Sequence, residues 1–526
     1  MNFNKKLAVA VSGAVILMAG QFAIADSTTD IVDALIMKGV LTEEEGKLIT
    51  KGHTSKTTVT PVVKEKDGAF TLESANGRNN ISLTGRMHLD YRQNNLDLYN
   101  TTDNDRDSAS AADAWSLRRT RLGVKGTFAQ DFKYEIVANL PGTATLDVGF
   151  VDYAKFPAMQ LRMGKFKQPF GLEQLTSSNN IDFMERSYVD QIAPAKKIGA
   201  MIYGEPVKGF TYAASTYAMN DTELDQTGDK ANFAGRTTLN GAELTGNKDA
   251  IMHVGLAGFA NEYNVQPTTS SGTIEQNKSN ITRANIFAMR TPGQGLNSIF
   301  RAQIGGLSAG ATTFGEGQSV ISNQTAQVKS NAVGLEGIFA LKNFKLQGEF
   351  ARSNFKGSYN GAQESIDLDA KMYYGEVMWL ATGEKYSDAY KAGAFSSIKP
   401  INNYDFDKNQ WGALEFGLRA ERYTADNIDA TSAAGAGTMS LGSRVQGSSN
   451  CNGTGQKEAT TAATIDGCKS TATTFTAGLK WILNPNAMIK LNYSRTNFGD
   501  DFVYYDVAER VLNKENLVMM RTQYAF

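Results

Sequence analysis

The chain has 526 residues, 41 % hydrophobic and 20 % charged, with a formal net charge of −1, so no overall basic field points to nucleic acid. Aromatic residues make up 10 %, and 50 Gly stand against only 10 Pro, a balance that suits strands and turns because proline removes a ladder donor. Beyond the first 25 residues there is no run of about 18 apolar residues, which excludes a transmembrane helix.

Residues 1–25, MNFNKKLAVAVSGAVILMAGQFAIA, place Lys5 and Lys6 before an apolar stretch from Leu7 to Met18 and end on small residues, the pattern of a cleaved secretory signal peptide. Removing those two lysines takes the net charge from −1 to −3. Residues 26–53 read as a helical periplasmic segment. Ile31, Leu35 and Ile36 form an apolar stripe, Gly39 breaks it, and Thr42 with Glu45 three residues on is the signature of a capping box. Residues 54–69 read as a polar linker.

From residue 70 to 526 the chain alternates with period two. ISLTGRMHLDYR puts Ile81, Leu83, Met87, Leu89 and Tyr91 on one face and Arg86, His88, Asp90 and Arg92 on the other. Hairpins turn near Lys342 and Asn343 and at Asn484 to Asn486. A chain that meets a bilayer without an apolar helix has one other option, a closed barrel in which every backbone group pairs between strands. The predicted fold is therefore all-β, a transmembrane antiparallel up-and-down β-barrel. About 18 strand candidates can be traced, two of them weak, so the expected number is 16, with 18 possible.

A soluble sandwich would also alternate. The unbroken hairpin order, with short turns on one side and long polar loops on the other, favours the barrel. By parity the long connections near 93–114, 168–197, 263–279, 315–325, 355–369, 425–471 and 498–513 face outside. The long stretch 383–405 falls on the periplasmic side. The chain ends LVMMRTQYAF, with Val518, Met520, Tyr524 and Phe526 on one face and Arg521 and Gln523 on the other. This end resembles the outer-membrane insertion signal, so Tyr524 and Phe526 are read as an assembly signal. Cys451 and Cys468 bracket 16 residues of an outer loop in an exported protein and are expected to form a disulfide.

Several blocks together resemble a known family: GKFKQPFGLEQLTSSNNIDFMERSYVDQIAPAKKIGAMIYG, WSLRRTRLGVKGTF, YYGEVMWLATGE, GAFSSIKP and LKWILNPNAMIKLNYSRT. They are similar to the phosphate-selective porin O/P family of Gram-negative outer membranes, over about residues 70–526. The resemblance implies a 16-strand barrel, usually a homotrimer, that passes small solutes such as phosphate or other anions. It also implies lipid and lipopolysaccharide of the outer membrane, and the barrel-assembly machinery, as partners.

In such a channel a loop must narrow the lumen, and rings of Lys and Arg favour anions. The connection 168–197 is the third outer one and is long enough to have a role of its own. It carries Arg186, Lys196 and Lys197, and Lys165 and Lys167 precede it. Arg119, Arg121 and Lys125 share a face of the strand RRTRLGVK, whereas strict parity puts Arg118 on the lipid side, which places it near a rim. These eight bases, with Arg118 left out, are the candidate constriction and anion-binding residues. Glu173, Asp182, Glu185 and Asp190 oppose them within the same loop, so the bases are open to two readings, a weak anion filter or a salt-bridge lattice stiffening the wall.

Only His53, His88 and His253 are available to support a nucleophile, and no phosphate-binding loop, dinucleotide fingerprint or metal-spaced Cys/His set occurs. No enzyme, cofactor or metal is expected. The expected function is a passive aqueous channel for small hydrophilic solutes, anions such as phosphate in particular. The alternatives are a general porin for neutral or cationic solutes, or a surface-binding adhesin barrel.

Overall fold

The computed structural model describes residues 32, 35–38, 40–48, 60–66, 69–100, 106–219, 230–265, 284–293, 299–304, 326–359, 364–432, 440–441, 445–446, 463–499, 503–504 and 510–526. Two compact units emerge, one of residues 1–83 with 124–134, the other of 84–123 with 135–526.

In the first unit the expected capping box is formed. Thr42 N donates to Glu45 Oε2 at 2.9 Å, and Glu45 N donates to Thr42 Oγ1 at 3.2 Å, which satisfies donors that open the helical turn 43–48. Part of the expected linker is ordered as strand: Val62–Lys66 pairs antiparallel with Ala69–Glu73, whose end pairs with Asn80 to Ser82.

The barrel has sixteen strands. They are β1 (Asn80–Asn100), β2 (Arg106–Phe128), β3 (Phe132–Asn139), β4 (Thr145–Phe156), β5 (Met159–Lys167) and β6 (Lys196–Val207). Next come β7 (Phe210–Tyr217), β8 (Asn232–Asn240), β9 (Ala250–Val265), β10 (Ala326–Leu341) and β11 (Phe344–Tyr359). The wall ends with β12 (Glu364–Leu380), β13 (Ala413–Ser432), β14 (Ala463–Asn484), β15 (Ala487–Phe498) and β16 (Arg510–Ala525). From β4 onward each strand pairs antiparallel with the next, and β16 returns to β1 with Arg521 opposite Asp90.

Sixteen is the expected number, and the eighteen held possible is not found. Ala284–Met289 and Phe300–Ile304 do pair, but with each other and with Ser440–Leu441 in a separate three-stranded sheet. Connections are also shorter than expected. β1 and β2 run 21 and 23 residues, so most of 93–114 is strand, and β13 and β14 extend well into 425–471. Alternation explains the wall: Leu335, Leu346 and Leu418 are exposed outward, while Glu336, Glu349 and Arg419 are buried inward.

The chain terminus closes the barrel in the expected orientation. Val518 and Tyr524 are exposed, and Arg521 and Gln523 are buried in the lumen. Phe526 and Gly85 exchange backbone hydrogen bonds at 3.1 and 3.0 Å. The Phe526 ring covers Gly85 so closely that a Cβ there would lie 2.5 Å from it.

Candidate functional site

The third loop, residues 168–195 between β5 and β6, crosses the lumen and is tied to the far wall. Gly171, at φ 76°, turns the backbone so that Leu172 N and Glu173 N both donate to the Glu349 carboxylate at 2.8 Å. A Cβ at residue 171 would sit 3.2 Å from that carboxylate, and a positive φ suits glycine. Farther along, Tyr188 N donates to Glu421 at 3.0 Å.

The loop's acids serve the same attachment. Glu173 meets Arg419 at 3.1 Å, Asp182 meets Lys345 at 2.6 Å and Lys480 at 3.6 Å, and Glu185 meets Arg521 at 2.8 Å and Arg118 at 3.0 Å. Burial alone would raise the Asp182 carboxyl, but Lys345 and Lys480 hold it below the usual carboxylate range. Burial likewise opposes ionisation of Glu185, and Arg119, Arg521 and Arg118 overcome it. All three acids thus face the wall rather than the open lumen.

Two further segments cover that wall. Ile286, Phe287 and Phe300 of the small separate sheet pack with Tyr188, Val189 and Ile192 of the third loop. From the short-turn end, the connection 381–412 sends Tyr386 to Glu415 (2.6 Å) and Tyr390 to His253 (2.7 Å), while Arg236 donates to Gly393 O at 2.7 Å.

A cavity of about 1100 Å³ opens along β1 to β8. Twelve of its lining residues are Lys or Arg and four are Asp or Glu, an excess of eight positive charges. Some cations have carboxylate partners. Arg121 meets Asp147 at 3.0 Å, Lys196 shares that carboxylate, and Arg162 grips Asp152 at 2.7 and 2.8 Å. Others bond neutral groups, which satisfies donors without cancelling charge. Arg86 donates to Ser178 Oγ at 2.9 Å and Lys167 to Thr176 O at 3.0 Å. Lys167 and Lys196 are direct cross-strand partners, an unfavourable pairing that the carbonyls and Asp147 offset.

Of the eight sequence candidates, Arg119, Arg121, Lys165, Lys167, Arg186, Lys196 and Lys197 border this one cavity. Lys125 stands apart, exposed in the first unit and outside the lining. Strict parity fails at Arg118, expected near a rim: it points to Glu185, because alternation breaks where Arg118 and Arg119 both approach that carboxylate. Of the four loop acids, Asp190 alone borders the cavity. Arg86, Arg162, Arg236, Arg290 and Lys391 also line it and were not among the candidates. Period two gave the signal for Arg86; nothing local marks Arg290 or Lys391, which arrive on distant connections. Cys451 lies outside the described residues, and Cys468 is in β14, opposite Ile428.

A closed sixteen-strand barrel, apolar outward and narrowed by an inward loop, defines the class as an outer-membrane porin. The sequence model of "Phosphate-selective porin O and P" matches residues 81–282 and 309–526, and the chain belongs to that family. It is 27 % identical over 358 residues to Porin O of Pseudomonas aeruginosa, covering 65 % of this chain and 73 % of that protein. Among solved structures it is similar to an anion-selective porin from Comamonas acidovorans, with a TM-score of 0.42 at 10 % identity, covering 85 % of this chain and 100 % of that one. A loop-deletion mutant of the outer-membrane protein OmpT of Vibrio cholerae matches with the same TM-score, identity and coverage. The protein is a channel of the Gram-negative outer membrane.

Proposed function

We propose that this porin passes small anions, inorganic phosphate among them, in preference to cations, with Arg119, Arg121, Lys165, Lys167, Arg186, Lys196 and Lys197 forming the filter. The observation that carries this reading is the segregation of charge: twelve basic and four acidic residues line the open cavity, while Glu173, Asp182 and Glu185 are spent on the wall. An ion in the cavity responds to charges within about one Debye length, roughly 10 Å at 0.1 M salt, so the chain's net charge of −1 does not decide selectivity.

The test is the reversal potential of single channels in a potassium chloride gradient across a planar bilayer, followed by addition of phosphate. Anion preference, and a chloride current that phosphate reduces, are expected. Cation preference would overturn the reading in favour of a general porin. The same reading includes a homotrimer embedded in lipid and lipopolysaccharide and delivered by the barrel-assembly machinery. Gel migration before and after heating, with crosslinking, tests the trimer.

A further inference from the structure

The stretch of the third loop from Ser177 to Glu185 rests on the seam where the first and last strands meet. Arg86 on β1 donates to Ser178, His88 on β1 lies 3.1 Å from Asn179 Oδ1, and Gln523 on β16 donates to Asn179 O at 3.1 Å. At the centre of this berth is Arg521, fully buried on β16. Its Nε and Nη2 grip Asp90 of β1 at 2.7 and 2.8 Å, 431 residues away in sequence. The remaining reach of the guanidinium goes to the loop: Nη1 donates to Met184 O at 2.6 Å and Nη2 to Glu185 Oε1 at 2.8 Å. One planar, always-charged group therefore joins β16, β1 and the loop, a geometry that an ammonium could not span.

We infer that Arg521 is the positioning residue that makes docking of the third loop conditional on barrel closure, and so sets the width and charge of the pore. Before β16 pairs with β1, Asp90 and Arg521 are separate, and Glu185 lacks its closest partner, which is on the last strand. Once the seam is shut, the Arg521–Asp90 pair presents fixed donors to Met184 and Glu185. The neighbouring residue Arg186 is then held at the cavity, where it donates to Glu173 O at 2.7 Å and Thr176 O at 2.9 Å. The inference rests on the porin reading but not on the sign of its selectivity.

Three variants, Arg521→Met, Arg521→Lys and Glu185→Gln, are to be purified as assembled, heat-modifiable protein and recorded as single channels. Removing one partner of a buried ion pair shifts the docking equilibrium about a hundredfold or more. Arg521→Met should therefore flicker into a wider state of higher conductance, with a smaller difference between anion and cation permeability. Arg521→Lys should restore part of the steady current. Glu185→Gln leaves the Arg521–Asp90 seam intact, so it should assemble in normal amounts and still flicker, which keeps the inference testable if Arg521→Met does not fold. Steady wild-type conductance in assembled Arg521→Met, or in Glu185→Gln, would overturn it. Selectivity of the wild-type channel for cations would sink the anion reading alone, since conductance and flicker report docking whatever the charge of the permeant ion.

Discussion

Asp147 is the most informative single position for the proposed filter. Its carboxylate sits between Arg121, 3.0 Å away, and Lys196 on the cavity wall, so Asp147→Asn uncovers two cations while keeping a side chain that still accepts hydrogen bonds. A unit charge about 6 Å from a passing ion in water is worth about 0.7 kcal/mol, and screening at 0.1 M salt leaves about 0.4. Loss of that charge favours the anion and disfavours the cation by the same factor of about two, so their permeability ratio should rise about fourfold at 0.1 M salt. At 1 M salt, where the Debye length is about 3 Å, the ratio should change by less than about 1.5-fold. Reversal potentials in potassium chloride gradients at the two mean concentrations measure this directly, and Arg86→Gln supplies the opposite arm. A ratio that stays put or falls in Asp147→Asn at low salt refutes the idea that the local field of this cavity sets selectivity.

The Asp182 and Glu185 anchors of the docked loop should tolerate mild acid, whereas burial raises the Glu173 carboxyl. Carboxyls held below their ordinary value, as Asp182 and Glu185 are, contribute their full stabilisation above the unfolded value of about 4 and lose it only as pH falls through the lower folded-state value. Glu185→Gln should flicker more than wild type at pH 5 as it does at pH 7, because Glu185 stays ionised over that range, and loss of that difference at pH 5 would contradict the assignment. Deleting Phe526, which exchanges two backbone hydrogen bonds with Gly85, should cut the amount of heat-modifiable protein in the outer membrane while surviving channels conduct normally; unchanged assembly would count against an assembly role for Tyr524 and Phe526. Thiol labelling of the denatured, unreduced protein should find no free Cys451 or Cys468, and labelling of both would exclude the disulfide.

What could be read from sequence was whatever depends on near neighbours. Period two placed Arg521 and Gln523 inside and Tyr524 outside, and the Thr42–Glu45 spacing marked a capping box that is indeed formed. The length of the third loop singled it out. The directions of its acids were not legible, because Asp182 finds Lys345 across 163 residues and Glu185 finds Arg521 across 336. Arg118 was misassigned because one break in alternation turns two consecutive arginines to the same carboxylate. The pair 284–289 and 300–304 has the local pattern of strands, and only its partners reveal that it belongs to a separate sheet rather than to the wall.

A porin whose acids and bases nearly balance can still present a basic path, because many of its acids are paired and covered on one wall. Glu336, Glu349, Glu376, Glu415 and Glu421 are buried on β10 to β13, where they hold backbone amides and a hydroxyl of the covering segments and the wall cations Arg236 and Lys345. Those carboxylates are needed there, since a loop laid across a lumen brings amide donors that must find acceptors away from water. The opposite wall carries Arg86, Arg121, Arg162 and Lys196 and stays open to solvent in the cavity. The division has a mechanical origin as well as an electrostatic one: the acids that anchor the third loop to the barrel are the same acids that its docking removes from the path of the permeant ion. Loosening the loop should thus widen the channel and uncover the acids together with their wall partners, which dilutes the basic excess of the path, so conductance and anion preference are coupled through a single docking equilibrium and should change in opposite directions across any series of anchor variants.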